Sequence, residues 1–424
     1  MGCSTSRTLC VRGRTLQPIQ NGSTTADLNA KPLTFQALQT TFRIVQRDKS
    51  IRHVREKYDA NNQLLAELHW DVHYQVGSGN HGHSYLSVMD DYLFQTPISW
   101  YSTSARIDLS PGFTEALSLG RPVVAECLFC HANHANIIDD SENRYQKPIF
   151  DTHGIGCQRC HGPGSLHVQS REQGVLLSET FDDTIVNPRH LSAKLRDAVC
   201  EQCHLEGEIR VLRESRSLYD FRPGMALEEF WNVFLSGESE GEKQAVGHVE
   251  QMHLSRCYLG SEGENQLGCI SCHDPHKAVR PDEKLNYYRD KCNQCHTSTS
   301  CGLPSDSPLR EEVQDSCIAC HMPRYRASDV PHTASTDHRI IRFKNTPLTS
   351  SHRAVHPRRL ASFFEARKTI QPSDMQRDHS LAIAKVVRGG KTVPLPEVQS
   401  AFTVLQNHLR ERGSDREALA GAGF

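Results

Sequence analysis

The sequence of 424 residues contains little of the material from which a protein core of this length is usually built. Hydrophobic residues make up 37% and aromatic residues 7% of it, which is low for a chain long enough for two or three domains. No apolar run is long enough for a transmembrane segment, and the first thirty residues lack the apolar stretch of a signal peptide. The formal net charge of -2 gives no case for a nucleic-acid or strongly charged partner.

What the sequence does contain is cysteine and histidine in one repeated pattern, Cys-x-x-Cys-His, which occurs six times between residues 127 and 321. The cysteine pairs are Cys127 and Cys130, Cys157 and Cys160, Cys200 and Cys203, Cys269 and Cys272, Cys292 and Cys295, and Cys317 and Cys320. The histidines that follow them are His131, His161, His204, His273, His296 and His321. We number these motifs 1 to 6 in chain order.

This pattern is the attachment signature of c-type haem. Two cysteines one turn apart can form thioethers to the two vinyl groups of one haem, and the next residue then offers its imidazole to the iron as the proximal ligand. Random placement of 16 Cys and 24 His would give on the order of 0.03 such motifs. The sequence therefore predicts six covalently attached c-type haems.

Two other readings of Cys-x-x-Cys fit less well. A zinc site pairs two such motifs and has no need of a histidine directly after each one. A thioredoxin-like redox pair would need one copy in a strand-helix unit rather than six in loops. Buried porphyrins would also supply the missing apolar surface, so we expect folding to depend on haem. Because such haem is attached outside the cytoplasmic membrane, we expect a periplasmic or extracellular protein.

The patterns predict an α+β fold in four parts. Residues 1–32 form an irregular leader, residues 33–112 an antiparallel β domain, residues 113–345 a haem-packed cytochrome domain of loops and short helices, and residues 354–424 a short helical tail. Apolar and polar residues alternate from Leu64 to Val76, which predicts one strand with one buried face. In the tail, Val398, Phe402, Leu405 and Leu409 have helical spacing, and Ser373 or Asp374 is predicted to cap an earlier helix.

Eighteen histidines remain as candidates for the distal side of the irons. We favour six that lie in constrained loops or beside a motif, and hold His83, His153 and His248 as reserves. The favoured set is His81, His167, His253, His276, His332 and His338. His276 follows motif 4 by three residues, too close to reach over its own haem, so it is predicted to bind a neighbour's iron. Two imidazoles per iron imply low reduction potentials.

Residues 70 to 345 resemble multihaem c-type cytochromes related to the nitrite reductase and hydroxylamine oxidoreductase superfamily that carry a C-terminal tetratricopeptide array. The segments that carry the likeness are GSGNHGHSYL, ISWY, CQRCHGPGSLH, VEQMHLSRCY, LGCISCHDPH, SCIACHMPR and PHTASTDHRI. The resemblance implies bis-histidine haems used for electron transfer, and a disulfide between Cys257 and Cys301. It also implies that the start at Met1 is internal to a longer protein, and that the tail begins a tetratricopeptide-like array cut short at Phe424.

Three hypotheses for the function follow. The first is an extracytoplasmic electron carrier that passes electrons between a donor and an acceptor protein. The second is a multihaem reductase or oxidoreductase for a small nitrogen or sulfur oxyanion, which needs one haem with an open distal position. Motif 1, Cys127 to His131, is the first candidate for that haem because its distal ligand is the least certain. The third is that the helical tail recruits a protein partner while the haems sense the redox state.

Overall fold

The structure is a computed structural model that describes residues 16–18, 33–47, 50–115, 120–139, 141–175, 182–236, 247–297, 300–326, 330, 332, 334–342, 360–367 and 369–423. Apart from residues 16–18, the leader predicted over residues 1–32 lies outside this part of the chain, as do Cys3 and Cys10. Within the described residues, no helix is both long enough and apolar enough to cross a membrane.

The N-terminal part consists of two antiparallel sheets. One has the order β2-β3-β4-β5, and the other has the order β1-β6-β7-β8-β11, with β9 pairing to β7 and β10 to β9. Phe42, Ile51, Tyr85 and Ile98 share one buried cluster that joins the two sheets. The strands are β1 Leu16–Pro18, β2 Thr34–Ala37, β3 Thr40–Arg47, β4 Ser50–Tyr58, β5 Leu64–Asp71, β6 Tyr74–Val76, β7 Gly82–Met89, β8 Tyr92–Gln95, β9 Ile98–Tyr101, β10 Arg106–Leu109 and β11 Arg121–Pro122.

The single strand predicted over Leu64 to Val76 is two strands in the structure, and the first three residues of its predicted buried face, Leu64, Ala66 and Leu68, are exposed. β5 and β6 belong to different sheets. Leu64 is 52% and Leu68 37% exposed, whereas Trp70 on the same face is 1% exposed. Alternation determines which side chains share a face, but a face is buried only where another layer covers it. On β5 the described chain covers Trp70 and leaves the earlier residues open.

In the described residues that follow there are ten short helices and six strands, and the six motifs lie in or directly beside the helices. Their bounds are α1 Ala125–His131, β12 Ala135–Ile137, β13 Tyr145–Phe150, α2 Gln158–His161, α3 Ser165–Glu172, α4 Ala193–His204, β14 Ile209–Leu212, β15 Trp231–Ser236, α5 His248–His253, α6 Arg256–Leu259, α7 Cys269–Cys272, α8 Lys284–Asn293, α9 Pro308–Glu312, α10 Cys317–His321, β16 Arg324–Arg326 and β17 Ala334–Thr336.

The helical tail packs on a three-stranded sheet of order β14-β15-β18, whose last strand, β18, spans Leu360–Ser362. The tail helices are α11 Pro372–Arg388, α12 Leu395–Glu411 and α13 Arg416–Ala422. The predicted cap of α11 at Ser373 or Asp374 is wrong, because the N-cap is Gln371 and Pro372 opens the first turn, a position that proline favours. α12 buries Leu405 but leaves Phe402 42% exposed.

Hydrophobic burial is distributed very unevenly along the chain. Four buried clusters cover the β domain, the surroundings of α1, the surroundings of α4 and the tail. In contrast, the described residues between 254 and 342 bury no hydrophobic side chain at all. Motifs 4, 5 and 6 lie in this segment. An ordered segment of this length without an apolar interior of its own needs apolar material from another source.

Candidate haem-binding sites

All six motifs have the same local geometry, which is one helical turn. In motifs 1, 3 and 6 both cysteines and the histidine lie inside α1, α4 and α10. In motifs 2, 4 and 5 the histidine N–H donates to the carbonyl of the first cysteine, over 2.9, 3.0 and 3.0 Å. Residues three and four apart on a helix share a face. Each motif therefore presents two thiols and one imidazole in the arrangement that attachment of a single haem requires.

The motifs also lie next to one another in a defined order. The Cys130 thiol of motif 1 contacts that of Cys203 in motif 3, and α2 of motif 2 also packs on α4 of motif 3. Cys200 of motif 3 contacts Cys269 of motif 4. α7 of motif 4 packs on α8 of motif 5, and Cys292 of motif 5 contacts Cys317 of motif 6. Motif 3 thus has three neighbours, and motifs 4, 5 and 6 continue from it in sequence order.

Three proximal histidines have a second imidazole at the distance expected for two ligands of one iron. With a metal–nitrogen bond of about 2 Å on each side, the centres of two axial imidazole rings lie about 6 Å apart. The ring centres of His161 and His276 are 5.8 Å apart, those of His204 and His248 6.0 Å, and those of His273 and His338 6.3 Å. His248 and His338 are also neighbours, with ring centres 4.6 Å apart.

Backbone carbonyls determine which ring nitrogen is available in several of these histidines. Nδ1 of His161 lies 2.7 Å from the oxygen of Val186, and Nδ1 of His338 lies 2.9 Å from that of Thr336. Nδ1 of the proximal His321 lies 2.7 Å from the oxygen of Ile341. A carbonyl oxygen only accepts, so Nδ1 carries the proton and Nε2 keeps its lone pair. A hydrogen bond of this kind orients an imidazole that binds a metal through its other nitrogen.

Burial keeps the grouped imidazoles neutral, which a metal ligand requires. Burial, with smaller contributions from neighbouring histidines, lowers the pKa of His248 to about 3. Burial likewise lowers the pKa of His131, His204, His273 and His338. At neutral pH no proton therefore competes for the nitrogen lone pairs.

The other four favoured distal histidines have different described partners. His81 lies within electrostatic reach of His248, Lys284 and Arg324. His167 Nδ1 lies 2.9 Å from a carboxylate oxygen of Asp182. For both side chains, ligation of an iron stays a prediction.

His253 and His332 are held by contacts outside the motif histidines. His253 stacks on Tyr258 with ring centres 4.0 Å apart, and burial lowers its pKa to about 4. His332 Nε2 lies 2.7 Å from a carboxylate oxygen of Asp108 in β10, which ties the segment after motif 6 to the β domain. For both residues, ligation of an iron stays a prediction.

Of the reserves, His83 stacks on Trp100 at 5.5 Å and His153 packs against Tyr74, whereas His248 faces a proximal histidine. His248 and His253 lie at opposite ends of α5. Their separation of five residues puts them on different faces of the helix. The sequence supplied both candidates but no information on which face of α5 turns to motif 3.

The arrangement of the motif cysteines differs from that of a zinc site. Within the described residues, one group of three metal-ligand side chains comes together, Glu214, His408 and Asp415 in and beside the tail, and it contains no cysteine. Arg412 pairs with Glu214, and Arg377 pairs with Asp415, so these carboxylates already have cationic partners. A tetrahedral zinc site would draw four Cys or His ligands around one point.

The disulfide implied for Cys257 and Cys301 is not formed in the structure, where both are free thiols. Cys257, on α6, lies within electrostatic reach of Cys272, Cys292 and Cys295. Cys301 is exposed in the loop after motif 5. The inferred pairing is therefore wrong for this structure, because α6 turns Cys257 toward motifs 4 and 5.

Comparison with known proteins gives one informative similarity. The chain is 23% identical over 205 residues to the multiheme cytochrome MtrA of Shewanella baltica (strain OS185), over 46% of this chain and 51% of that protein. The chain thus spans about half the length of the curated relative that it matches. No protein-family model matches the chain, and no solved structure matches it. The similarity supports the class of multihaem cytochrome.

Proposed function

We propose that this protein is an extracytoplasmic electron-transfer cytochrome that carries six covalently attached c-type haems. One observation carries the proposal, namely that all six Cys-x-x-Cys-His turns lie in a single connected array, each beside at least one other. When bound, haem supplies a one-electron couple at its iron. Close packing of such groups suits transfer of electrons along the array rather than storage at isolated sites.

The axial ligands that the geometry supports best are three imidazole pairs. They are His161 with His276, His204 with His248, and His273 with His338. In this assignment His276, which follows motif 4 in sequence, binds the iron of motif 2. His81, His167, His253 and His332 stay candidates for the irons of motifs 1, 5 and 6. Filled axial positions leave no iron coordination site for a substrate and favour low potentials.

The residues of this chain have separate roles in the proposal. Cysteines anchor each haem, and the helical turn directs the proximal imidazole to the iron. Carbonyl groups such as those of Val186 and Thr336 hold the protonated Nδ1 atoms, so that Nε2 is the coordinating nitrogen. The proposed partners are a donor and an acceptor protein, and the tail helices α11 to α13 are a further surface that a protein partner can use.

The test is the haem content of protein produced with the cytochrome c maturation machinery. Intact mass and the pyridine haemochrome spectrum should give six haems per chain, and the ferric spectrum should be low-spin at least for motifs 2, 3 and 4. Protein that matures normally but shows no Soret band, or whose mass is that of its amino acids alone, contradicts the proposal. A high-spin ferric signal that responds to nitrite or hydroxylamine would favour the reductase alternative.

A pair of variants tests the ligand assignment. His276→Ala should convert one low-spin haem to high spin while six haems remain attached, because the cysteines of motif 2 are untouched. His153→Ala is the matched control, since the described ring contacts of His153 are to Tyr74 and Phe150 rather than to a motif histidine. Near-infrared magnetic circular dichroism reports the axial ligands, and an unchanged bis-histidine band in His276→Ala would refute the assignment.

A further inference from the structure

The strand β5 lies at an open edge of its sheet. In the described part of the chain, β5 pairs with β4 alone, whereas the opposite edge strand of the same sheet, β2, packs beside β10. Of the eight residues of β5, only Trp70 is buried. The strand also lacks lysine and proline, two residues that often prevent an edge strand from pairing with another chain. The described residues therefore leave room for a further strand beside β5.

The hydrogen bonds to β4 determine which backbone groups of β5 point into this open edge. The N–H of Val72, the residue after β5, donates to the oxygen of Ile51 in β4 over 2.9 Å. Hydrogen-bonded pairs alternate along an antiparallel ladder, so Leu68 also directs its N–H and C=O to β4. Glu67 and His69 consequently direct their N–H and C=O away from β4. These groups are the ones that a neighbouring strand can bind.

A second copy of β5, placed antiparallel, complements this edge. With Leu68 of the two copies opposite each other, Glu67 of each copy faces His69 of the other copy. The outward backbone groups of Glu67 and His69 then form hydrogen-bonded pairs. On the other face of the strand, Ala66 of each copy faces Trp70 of the other. Carboxylate thus lies beside imidazole, and apolar side chains lie beside apolar side chains.

Charge disfavours the neighbouring registers of the same pairing. The outward backbone groups of two copies meet again only after a relative shift of two residues. A shift in one direction puts Glu67 opposite Glu67 of the second copy. A shift in the other direction puts His69 opposite His69 and Glu67 opposite Asp71. Like charges directly opposite each other are destabilising, so the register with Leu68 at its centre is preferred.

We infer that β5 is a dimerisation edge, at which two copies of this chain join their sheets through an antiparallel β5–β5 pair with Leu68 on the two-fold axis. A two-fold axis makes the two halves of such an interface identical. The inference goes beyond the proposed electron-transfer function and does not depend on it. A single strand pair makes a small interface, so the dimer forms as the protein concentration rises rather than being permanent.

Sedimentation equilibrium of the holoprotein at increasing concentration tests the dimer, and hydrogen exchange with residue resolution tests its geometry. The amides of Glu67 and His69 should become protected as the concentration rises. The amide of Leu68 already binds β4 and should be protected at every concentration, so it is the internal control. A protein that stays monomeric overturns the inference. Protection of Glu67 and His69 that does not depend on concentration also overturns it, because a segment of the same chain then occupies the edge.

Substitutions of His69 test the backbone pairing and the register separately. His69→Pro removes half of the inter-chain backbone hydrogen bonds, and the monomer tolerates proline there because this N–H points away from β4. It should raise the dissociation constant of the dimer at least about tenfold. His69→Glu should dissociate about tenfold more readily than His69→Lys, because only the glutamate faces Glu67 with the same charge. Equal dissociation constants for these two variants would rule out the register.

Leu68→Glu tests the centre of the interface, because it brings two carboxylates together on the two-fold axis and should abolish the dimer. Leu395→Glu is the matched control, since Leu395 is 66% exposed at the start of α12, and its dimer should equal that of wild type. The haem content of each variant is measured first, which separates a failure of maturation from a failure of dimerisation. A dimer that survives Leu68→Glu contradicts the assignment to β5. If His69→Pro does not fold, Leu68→Glu and the comparison of His69→Glu with His69→Lys decide.

Discussion

Removal of the haem at motif 5 should unfold the segment from 254 to 342, because the described residues of this segment bury no hydrophobic side chain. The perturbation is the double substitution Cys292→Ala with Cys295→Ala, which abolishes both thioethers and changes no other residue of the segment. The matched variant is Cys127→Ala with Cys130→Ala in motif 1, where Leu128 and Phe129 already belong to a protein core.

The size of the effect follows from the apolar area of one porphyrin. A porphyrin is at least as large as two tryptophan side chains, or about 400 Å² of apolar surface, which is worth about 10 kcal/mol at 25 cal/mol per Å². This is comparable to the whole stability of an ordinary domain, about 5–15 kcal/mol. Motif 5 lies between motifs 4 and 6, so its haem has no hydrophobic side chains that can replace it.

Hydrogen exchange and limited proteolysis with mass mapping measure the outcome. The motif 5 variant should lose protection across 254–342 and be cleaved there, while the β domain and the tail helices stay protected. The motif 1 variant should lose one haem but keep α1 ordered. If the motif 5 variant keeps wild-type protection across the segment after losing its haem, the view that porphyrins form its interior is refuted.

Three further predictions concern single residues. Burial lowers the pKa of His53 in β4 to about 3 from 6.5, so as the pH falls the unfolded chain takes up the proton before the folded protein does. The stability present above pH 6.5 is therefore lost as the pH falls toward 3, by about 3 kcal/mol at pH 4. Denaturant titrations should find this loss largely absent in His53→Gln. Arg377 is 2% exposed and paired with Asp415. Arg377→Ala removes the guanidinium from this buried carboxylate and leaves it only the contacts to His408 and to the backbone N–H of Ala418. The substitution should destabilise the tail by about 3 kcal/mol, seen as a lower melting temperature of α11 to α13 with haem content unchanged. His131→Ala should keep its haem by mass but alter its axial ligation in the electron paramagnetic resonance spectrum, and complete loss of that haem would contradict this.

The sequence was most informative where the chemistry is local. Cys-x-x-Cys-His needs one helical turn, and the structure forms that turn at all six motifs. The spacing of His276 from motif 4 excluded its own haem, and the structure places it beside His161 of motif 2. In both cases, the reach of a short piece of backbone decides the outcome.

Long-range packing is where the sequence was least informative. The alternation from Leu64 to Val76 did not reveal that the chain changes sheets after Asp71 or that Leu64 has no covering layer. Equally, Arg159 and Arg210 are ordinary residues in the sequence, 51 positions apart, and only folding brings both onto Phe129. Such contacts depend on which elements meet, which no local pattern records.

The position of motif 3 beside motifs 1, 2 and 4 has a consequence for fault tolerance. If electrons hop between the haems of adjacent motifs, loss of the haem at motif 1 still allows transfer between motif 2 and motif 3. Likewise, loss of the haem at motif 2 still allows transfer between motif 1 and motif 3. Beyond motif 3 the described contacts run from motif 4 through motif 5 to motif 6, so loss of the haem at motif 5 would interrupt transfer to motif 6. The array would thus tolerate the loss of one haem beside motif 3 better than the loss of one in this linear part.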